Sequence, residues 1–187
     1  MKLIKERLNE ISKNFIELSI NCSPQIEDAS TLMISSLKKG GKIIFCGNGG
    51  SAADSQHLSA ELVGRYIKDR KPIASIALTT DTSVITAISN DFSFEEIFSR
   101  QIEANGKQDD ILYAISTSGN SKNIIKAIEK AKEMGIKTIG VTGSKESKMT
   151  GLCDLTIAAP AIRADRIQEM HIAIGQIICE IIENELC

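Results

Sequence analysis

After the paired glycines Gly40-Gly41 the apolar residues of this sequence change period, and that change limits the fold more than any other feature. Five short runs follow: Lys42–Cys46, Ile73–Leu78, Ile111–Ile115, Lys137–Val141 and Leu155–Ala158. Most are rich in isoleucine and are bounded by Gly, Pro, Asp or Ser. Between them lie stretches of helical spacing at 51–67, at 92–103, and at Asn123–Met134, which closes on Gly135. Strands that alternate with helices build βαβ units and a parallel sheet covered on both faces. The predicted fold is α/β, a three-layer αβα sandwich around a five-stranded, mostly parallel sheet.

Helices are predicted at both ends. Leu3, Ile4, Leu8, Ile11, Phe15, Ile16 and Leu18 recur at helical spacing with charges between them. Ser23-Pro24 reads as the cap and first residue of a second helix that runs to Lys38-Lys39. The last helix, about Asp165 to Asn184, carries Ile167, Met170, Ile172, Ile174, Ile177, Ile178, Ile181 and Ile182 around much of its circumference. A helix apolar on several faces is buried on several faces. One small sheet cannot cover it together with two amphipathic N-terminal helices, which implies a homo-oligomer built on helix packing. A central helix in a monomer is the alternative. No repeat or linker divides the chain, so residues 1–187 are read as a single domain, with 1–39 as a helical extension.

The charge balance removes several functions. A formal charge of −2 and an isoelectric point near 5.8 leave no basic face for nucleic acid. Lys2, Lys5, Glu6, Arg7, Glu10 and Lys13 interrupt the first residues, so no signal-peptide core is present. No apolar run reaches the roughly 18 residues of a membrane span. The five cysteines form no CxxC pair and read as small buried hydrophobes in a reducing compartment. A soluble cytoplasmic protein is expected, with neither nucleic acid nor a membrane as partner.

Ligands of open α/β sheets sit beyond the carboxyl ends of the strands, which directs attention to two loops. Gly47-Asn48-Gly49-Gly50-Ser51 joins the first strand to its helix, and its glycines permit close backbone approach. Gly47, Gly49 and Ala52 also match a dinucleotide pattern, but the second strand does not end, roughly 20 residues past the glycines, in an acidic residue that could hold a ribose. The second loop, Ser116-Thr117-Ser118-Gly119-Asn120-Ser121, brings four hydroxyls to another helix start. Hydroxyls and backbone amides in such a turn make a nest for a phosphate monoester. Taken alone, each loop is a common helix start. Two on neighbouring strands point to a phosphorylated ligand, with no nucleotide required. Four residues apart on the helix after the first loop, His57 and Glu61 share one face. Without that context they are an ordinary solvated pair; beside the loops they become a candidate proton-transfer site.

Gly47-Asn-Gly-Gly-Ser-Ala52 and Ser116-Thr-Ser-Gly-Asn-Ser121 resemble the sugar isomerase (SIS) domain. His57-Leu-Ser-Ala-Glu61-Leu-Val-Gly-Arg65-Tyr66, Ser89-Asn90-Asp91-Phe92 and Ala164-Asp165-Arg166-Ile167-Gln168-Glu169-Met170-His171-Ile172 are similar to its phosphoheptose isomerase branch. That resemblance implies a tetramer with shared active sites and conversion of sedoheptulose 7-phosphate to D-glycero-D-manno-heptose 7-phosphate. This step opens the supply of activated heptose for surface polysaccharide, either lipopolysaccharide or capsule. By resemblance, Asn48, Gly49, Gly50, Ser51, Glu61, Arg65, Asn90, Asp91, Ser116, Thr117, Ser118, Ser121, Asp165 and Gln168 contact the substrate. A zinc ion, one per subunit, would gather His57, Glu61, Gln168 and the residue eight beyond Gln168, which in the family is a catalytic histidine. Here that residue is Gln176. An amide neither shuttles protons near neutrality nor matches imidazole as a zinc ligand. His171 falls about 140° around the helix from position 176 and reads as a packed helix histidine. The catalytic candidates are therefore Glu61, Gln168 and Gln176, the last in place of the histidine.

Glu61 suits the chemistry on physical grounds. A ketose and an aldose interconvert through an enediol, and one carboxylate can carry the proton between the two carbons. Three outcomes follow from Gln176. Glu61 works with water or a group from another subunit; metal binding weakens and His57 becomes an orienting partner; or catalysis is lost. The last is the rival reading, a non-catalytic SIS-domain protein that binds sugar phosphates or an initiator protein.

Overall fold

The computed structural model describes residues 1–187. Its elements, in chain order, are α1 (Lys2–Lys38), β1 (Ile43–Gly47), α2 (Gly50–Val63), β2 (Ser75–Ala77), α3 (Thr82–Asp91), α4 (Ser99–Asn105), β3 (Ile111–Ile115), α5 (Lys122–Glu133), β4 (Lys137–Gly143), α6 (Lys148–Leu152), β5 (Leu155–Ala159) and α7 (Ala164–Leu186). A 3₁₀ turn at Phe94–Glu96 joins α3 to α4. The strands form one sheet in the order β2-β1-β3-β4-β5, and every pairing is parallel.

Side chains of a strand alternate between faces, and here the alternation sorts them into two cores. Ile43, Phe45, Ile111, Tyr113, Ile115, Ile139 and Val141 pack with Leu58 and Leu62 of α2, Met33 of α1 and Ile174 and Ile178 of α7. Ile44, Cys46, Leu112 and Ala114 pack on the opposite face with Ile102 of α4, Ile124 and Ile128 of α5, and Met149 of α6. All ten residues of β1 and β3 are buried, so their runs are apolar throughout instead of alternating with polar residues. The expected three-layer sandwich is present.

Two expectations need correction. The N-terminal segment is one helix, not two: α1 continues through Pro24. Proline removes a backbone donor and crowds the preceding turn, and interior positions are normally avoided. Pro24 lies on the exposed side, while Leu18, Cys22, Ile26, Ala29 and Met33 form a buried seam that runs past it. Burial of that seam outweighs the local preference for a break. The hydroxyl of Ser23, read as a cap, instead donates to the Ser19 carbonyl one turn back. The second correction is α3, a helix that no apolar period marks. Its residues are rich in Ser, Thr, Val and Ile, poor helix formers, and none is buried. Asp81 starts it by accepting a hydrogen bond from the Val84 amide at 2.9 Å. The short α6 is likewise absent from the expected elements.

The strand order reverses between β1 and β3, with β2 on one side and β4-β5 on the other. Chain leaving these two strands goes to helices on opposite faces: α2 packs in the first core and α5 in the second. A crevice opens at such a switch point. The loops after β1 and β3 border it, because Gly47 pairs with Ile115 at the strand ends.

Within the single chain α7 is covered on one side only. Ile174, Ile178 and Ile182 are at most 1 % exposed, whereas Ile177 and Ile181 are 44 % and 36 % exposed. Leu3, Ile4, Leu8, Ile16 and Ile20 of α1 are also exposed. No helix is long and apolar enough to cross a membrane.

Candidate active site

Residues at the switch point are joined across the crevice. The side-chain amides of Asn48, after β1, and Asn123, in the first turn of α5, donate to one another at 2.8 Å in both directions. This reciprocal pair holds the two loops as one surface. Asn123 is buried and was not among the residues singled out from the sequence; its position two residues past the serine loop was the available signal.

The serine loop is braced from below. Gly119 takes a φ of +62°, a conformation that disfavours any side chain. A Cβ there would also lie 2.7 Å from Oγ1 of Thr142. The Asn120 side chain accepts from the Lys148 amide at 3.1 Å, and the Gly143 amide donates to the Thr117 carbonyl at 3.2 Å. Ser116, Ser118 and Ser121 converge: the hydroxyl of Ser116 lies 3.1 Å from that of Ser121 and 3.5 Å from that of Ser118. Ser121 is the first residue before α5, yet its hydroxyl does not cap the helix. The helix therefore presents uncapped first-turn amides, with hydroxyls beside them, to the crevice. That set of donors suits a phosphate group without a lysine. A cavity of about 290 Å³ adjoins the loop, lined by Thr117, Ser118, Asn120, Lys145, Glu146 and Ile162 among others. A groove of about 720 Å³ between α1 and α7 lies away from both loops.

Gly49, with a φ of +56°, turns the chain from β1 into α2, and Ser51 is buried in the first turn. Further along the helix, Nε2 of His57 and Oε1 of Glu61 lie 2.9 Å apart, as i,i+4 geometry allows. Their side chains are 48 % and 22 % exposed, so the carboxylate is partly sheltered and the imidazole open. Asp54 lies one turn before His57. Its Oδ2 is buried without a hydrogen-bond partner. Burial pushes its carboxyl up to about 6, against the opposing effect of His57.

The other expected residues are scattered. Gln168 of α7 packs on the start of α2, where a Cβ on Gly50 would lie 2.7 Å from its Nε2. Glu61 sits eleven residues further along the same helix, about 16 Å at 1.5 Å per residue. A single chain thus separates Gln168 from the His57–Glu61 pair. Gln176 is half-buried on α7, and Arg65 is exposed just past α2. Asn90 and Asp91 are exposed at the end of α3, where the Asn90 amide donates to the Asp91 carboxylate at 2.9 Å. Asp165 does not cap α7; Arg163 occupies that position. Hydrogen bonds from Arg163, and then Arg166, hold its carboxyl near 2 against the effect of desolvation. His171 is buried, as expected, with Nε2 3.1 Å from the Thr142 carbonyl.

This donor set does not fit zinc. The nitrogen of His57 and the oxygen of Glu61 already face one another, and no cluster of three His, Cys, Asp or Glu side chains occurs in the chain. Of the four positions that the resemblance implies, Gln176 is the one that departs, and its amide does not match imidazole as a zinc ligand.

The sequence pattern of the SIS domain matches residues 7–143. A phosphoheptose isomerase of Rhodospirillum rubrum is 53 % identical over 173 residues, covering 92 % of each chain. One from Akkermansia muciniphila is 46 % identical over 183 residues, covering 98 % of this chain and 96 % of its own. Among solved structures, the phosphoheptose isomerase of Neisseria gonorrhoeae superposes with a TM-score of 0.93 at 38 % identity, over 98 % of both chains. That of Francisella tularensis gives 0.95 at 35 % identity, over 98 % of this chain and 97 % of its own.

Proposed function

The chain belongs to the SIS domain family, and we propose that it catalyses the reaction of its phosphoheptose isomerase relatives, converting sedoheptulose 7-phosphate to D-glycero-D-manno-heptose 7-phosphate. It is an enzyme, an intramolecular aldose–ketose isomerase. The observation that carries this reading is the welded pair of loops at the β1/β3 switch point, with three serine hydroxyls and a helix start converging on one spot.

In this reading the phosphate sits on Ser116, Thr117, Ser118 and Ser121 and the amides of α5. Asn48, Gly49, Gly50 and Ser51 border the sugar chain. Glu61 removes the proton from C1 as its C–H bond breaks, which leaves an enediol, and returns it to C2. The hydroxyl proton moves between O1 and O2 through water, because the amide of Gln176 neither gives nor takes it. His57 holds the Glu61 carboxylate in orientation through the 2.9 Å contact. Arg65, Asn90, Asp91, Asp165 and Gln168 complete the sugar contacts. No step requires zinc.

The working unit is a homotetramer in the cytoplasm with sites shared between subunits. Two observations support sharing: the distance between Gln168 and Glu61 along α2, and the uncovered apolar residues of α1 and α7. The product supplies activated heptose for lipopolysaccharide or capsule. The non-catalytic reading rests on Gln176 alone and is disfavoured by relatives that bear the isomerase name across nearly the whole chain.

Purified protein incubated with sedoheptulose 7-phosphate should form the aldose. Glu61→Gln should lower kcat by about 10²–10⁴. Absence of aldose from wild type, or full activity in the variant, would refute the assignment. Turnover should also survive a chelator; abolition by chelation and rescue by zinc would show that the metal acts after all.

A further inference from the structure

The C-terminal end of α2 is held by a buried ion pair that the reaction scheme does not use. Arg70 and Glu183 lie 2.8 Å apart, with side chains only 3 % and 2 % exposed. Burying two charges is costly unless the remaining donors and acceptors are also satisfied. Here they are. The Arg70 guanidinium donates to the carbonyls of Glu61 and Leu62 at 2.8 Å each, and to those of Lys71 and Gly64 at 3.1 and 3.4 Å. Glu183 accepts the backbone amides of Tyr66, Ile67 and Lys68 at 2.8 to 3.0 Å. Burial alone would raise the Glu183 carboxyl, but the three amides and Arg70 hold it near 2, so it is charged at any working pH.

The location matters more than the strength. The last carbonyls of a helix lack intrahelical partners and carry the negative end of its dipole. Arg70 satisfies two of them, and one belongs to Glu61 itself. Glu183 stands on α7, the helix that carries Gln168 and Gln176. Helix α7 therefore meets α2 at both ends: Gln168 packs on Gly50 at the start, and Glu183 clamps the segment after the finish. Between them, Gly175 leaves no room for a Cβ against Leu58.

We propose that Arg70 and Glu183 are positioning residues for the isomerisation, setting the height and rotation of the Glu61 carboxylate relative to α7. The proposal rests on Glu61 as the proton carrier. Proton transfer between adjacent carbons tolerates little displacement, and a shift of 1 Å costs up to about 10²-fold in rate. The phosphate loops follow β1 and β3, away from the clamp at the C-terminal end of α2.

The test compares Arg70→Lys, Glu183→Gln and the double variant with wild type and Glu61→Gln. The first substitution keeps the positive charge but loses the guanidinium fork; the second keeps an acceptor but loses the negative charge. For each protein, kcat and KM for sedoheptulose 7-phosphate and competitive inhibition by inorganic phosphate are measured well below the melting transition. Rates are normalised to the folded fraction by circular dichroism. We expect kcat per folded site to fall about ten- to a hundredfold in each single variant. KM and phosphate inhibition should stay within about twofold, and the double variant should be no worse than the poorer single one. Unchanged kcat per folded site would overturn the proposal, as would a loss confined to KM, or single losses that multiply in the double variant. If wild type turns over and Glu61→Gln is dead while the clamp variants match wild type, only the positioning idea fails. An active Glu61→Gln overturns both readings.

Discussion

Two titratable side chains, His171 buried and Asp54 half-buried, make opposite demands on the protein as pH changes. His171 is kept neutral by burial, which pulls its pKa down to about 4 although the Thr142 carbonyl opposes the shift. The unfolded chain takes up that proton first, near pH 6.5. Stability is therefore complete above pH 6.5 and is lost as pH falls towards 4. The loss from this group is about 3 kcal/mol. His171→Gln should flatten that part of a plot of unfolding free energy against pH, and an unaltered slope would place the effect elsewhere. Asp54 behaves in reverse. Its folded pKa is raised by burial, so the ionised form is the costly one and folding favours the proton. Asp54→Asn should raise the thermal midpoint at pH 8, and the advantage should vanish below about pH 4, where both carboxyl and amide are neutral. A lower midpoint at pH 8 would mean that the ionised carboxylate has a partner in the assembled protein.

At the level of elements, the strands were readable because each is a short, continuous apolar run, with β1 and β3 buried on both faces. Helices α2, α5 and α7 were readable from their period. Helix α3 was not, because it buries nothing and its composition favours strand. The proline signal in α1 misled for a related reason. A local stop signal competes with a buried seam whose energy is set by α7 and β5. The serine loop was legible as a nest, but its bracing was not, since Thr142, Ser147 and Lys148 come from beyond α5. Gly119→Ala tests that bracing. Left-handed backbone at a residue with a Cβ costs about 1–2 kcal/mol, before any contact with Thr142 is counted. We expect a lower melting midpoint, a raised KM and weaker inhibition by phosphate. Unchanged phosphate inhibition would detach this loop from the ligand's charged end.

At the scale of the whole molecule, one chain keeps residues of the proposed site apart. Gln168 packs at the start of α2 and Glu61 stands near its end. Asn90 and Asp91 are exposed at the end of α3. Mixed oligomers provide the check. Glu61→Gln and Gln168→Ala proteins, each with little activity alone, should regain activity when dissociated together and reassembled, because some sites then receive an intact residue from each parent. No recovery in demonstrably mixed oligomers would confine the site to one subunit.

Features that depend on residues a few positions apart were determined by the sequence alone. These are the alternation of strands and helices, the two glycine and serine turns, and the His57–Glu61 pair, whose distance follows from helical pitch. Tertiary structure decided the rest. It placed β1 beside β3, so that Asn48 meets Asn123, and it brought Arg70 to Glu183 across 113 residues of chain. Such contacts arise when sheet and helices bury their apolar faces together, and that choice of neighbours is made by the packing of the whole chain, which no local period records.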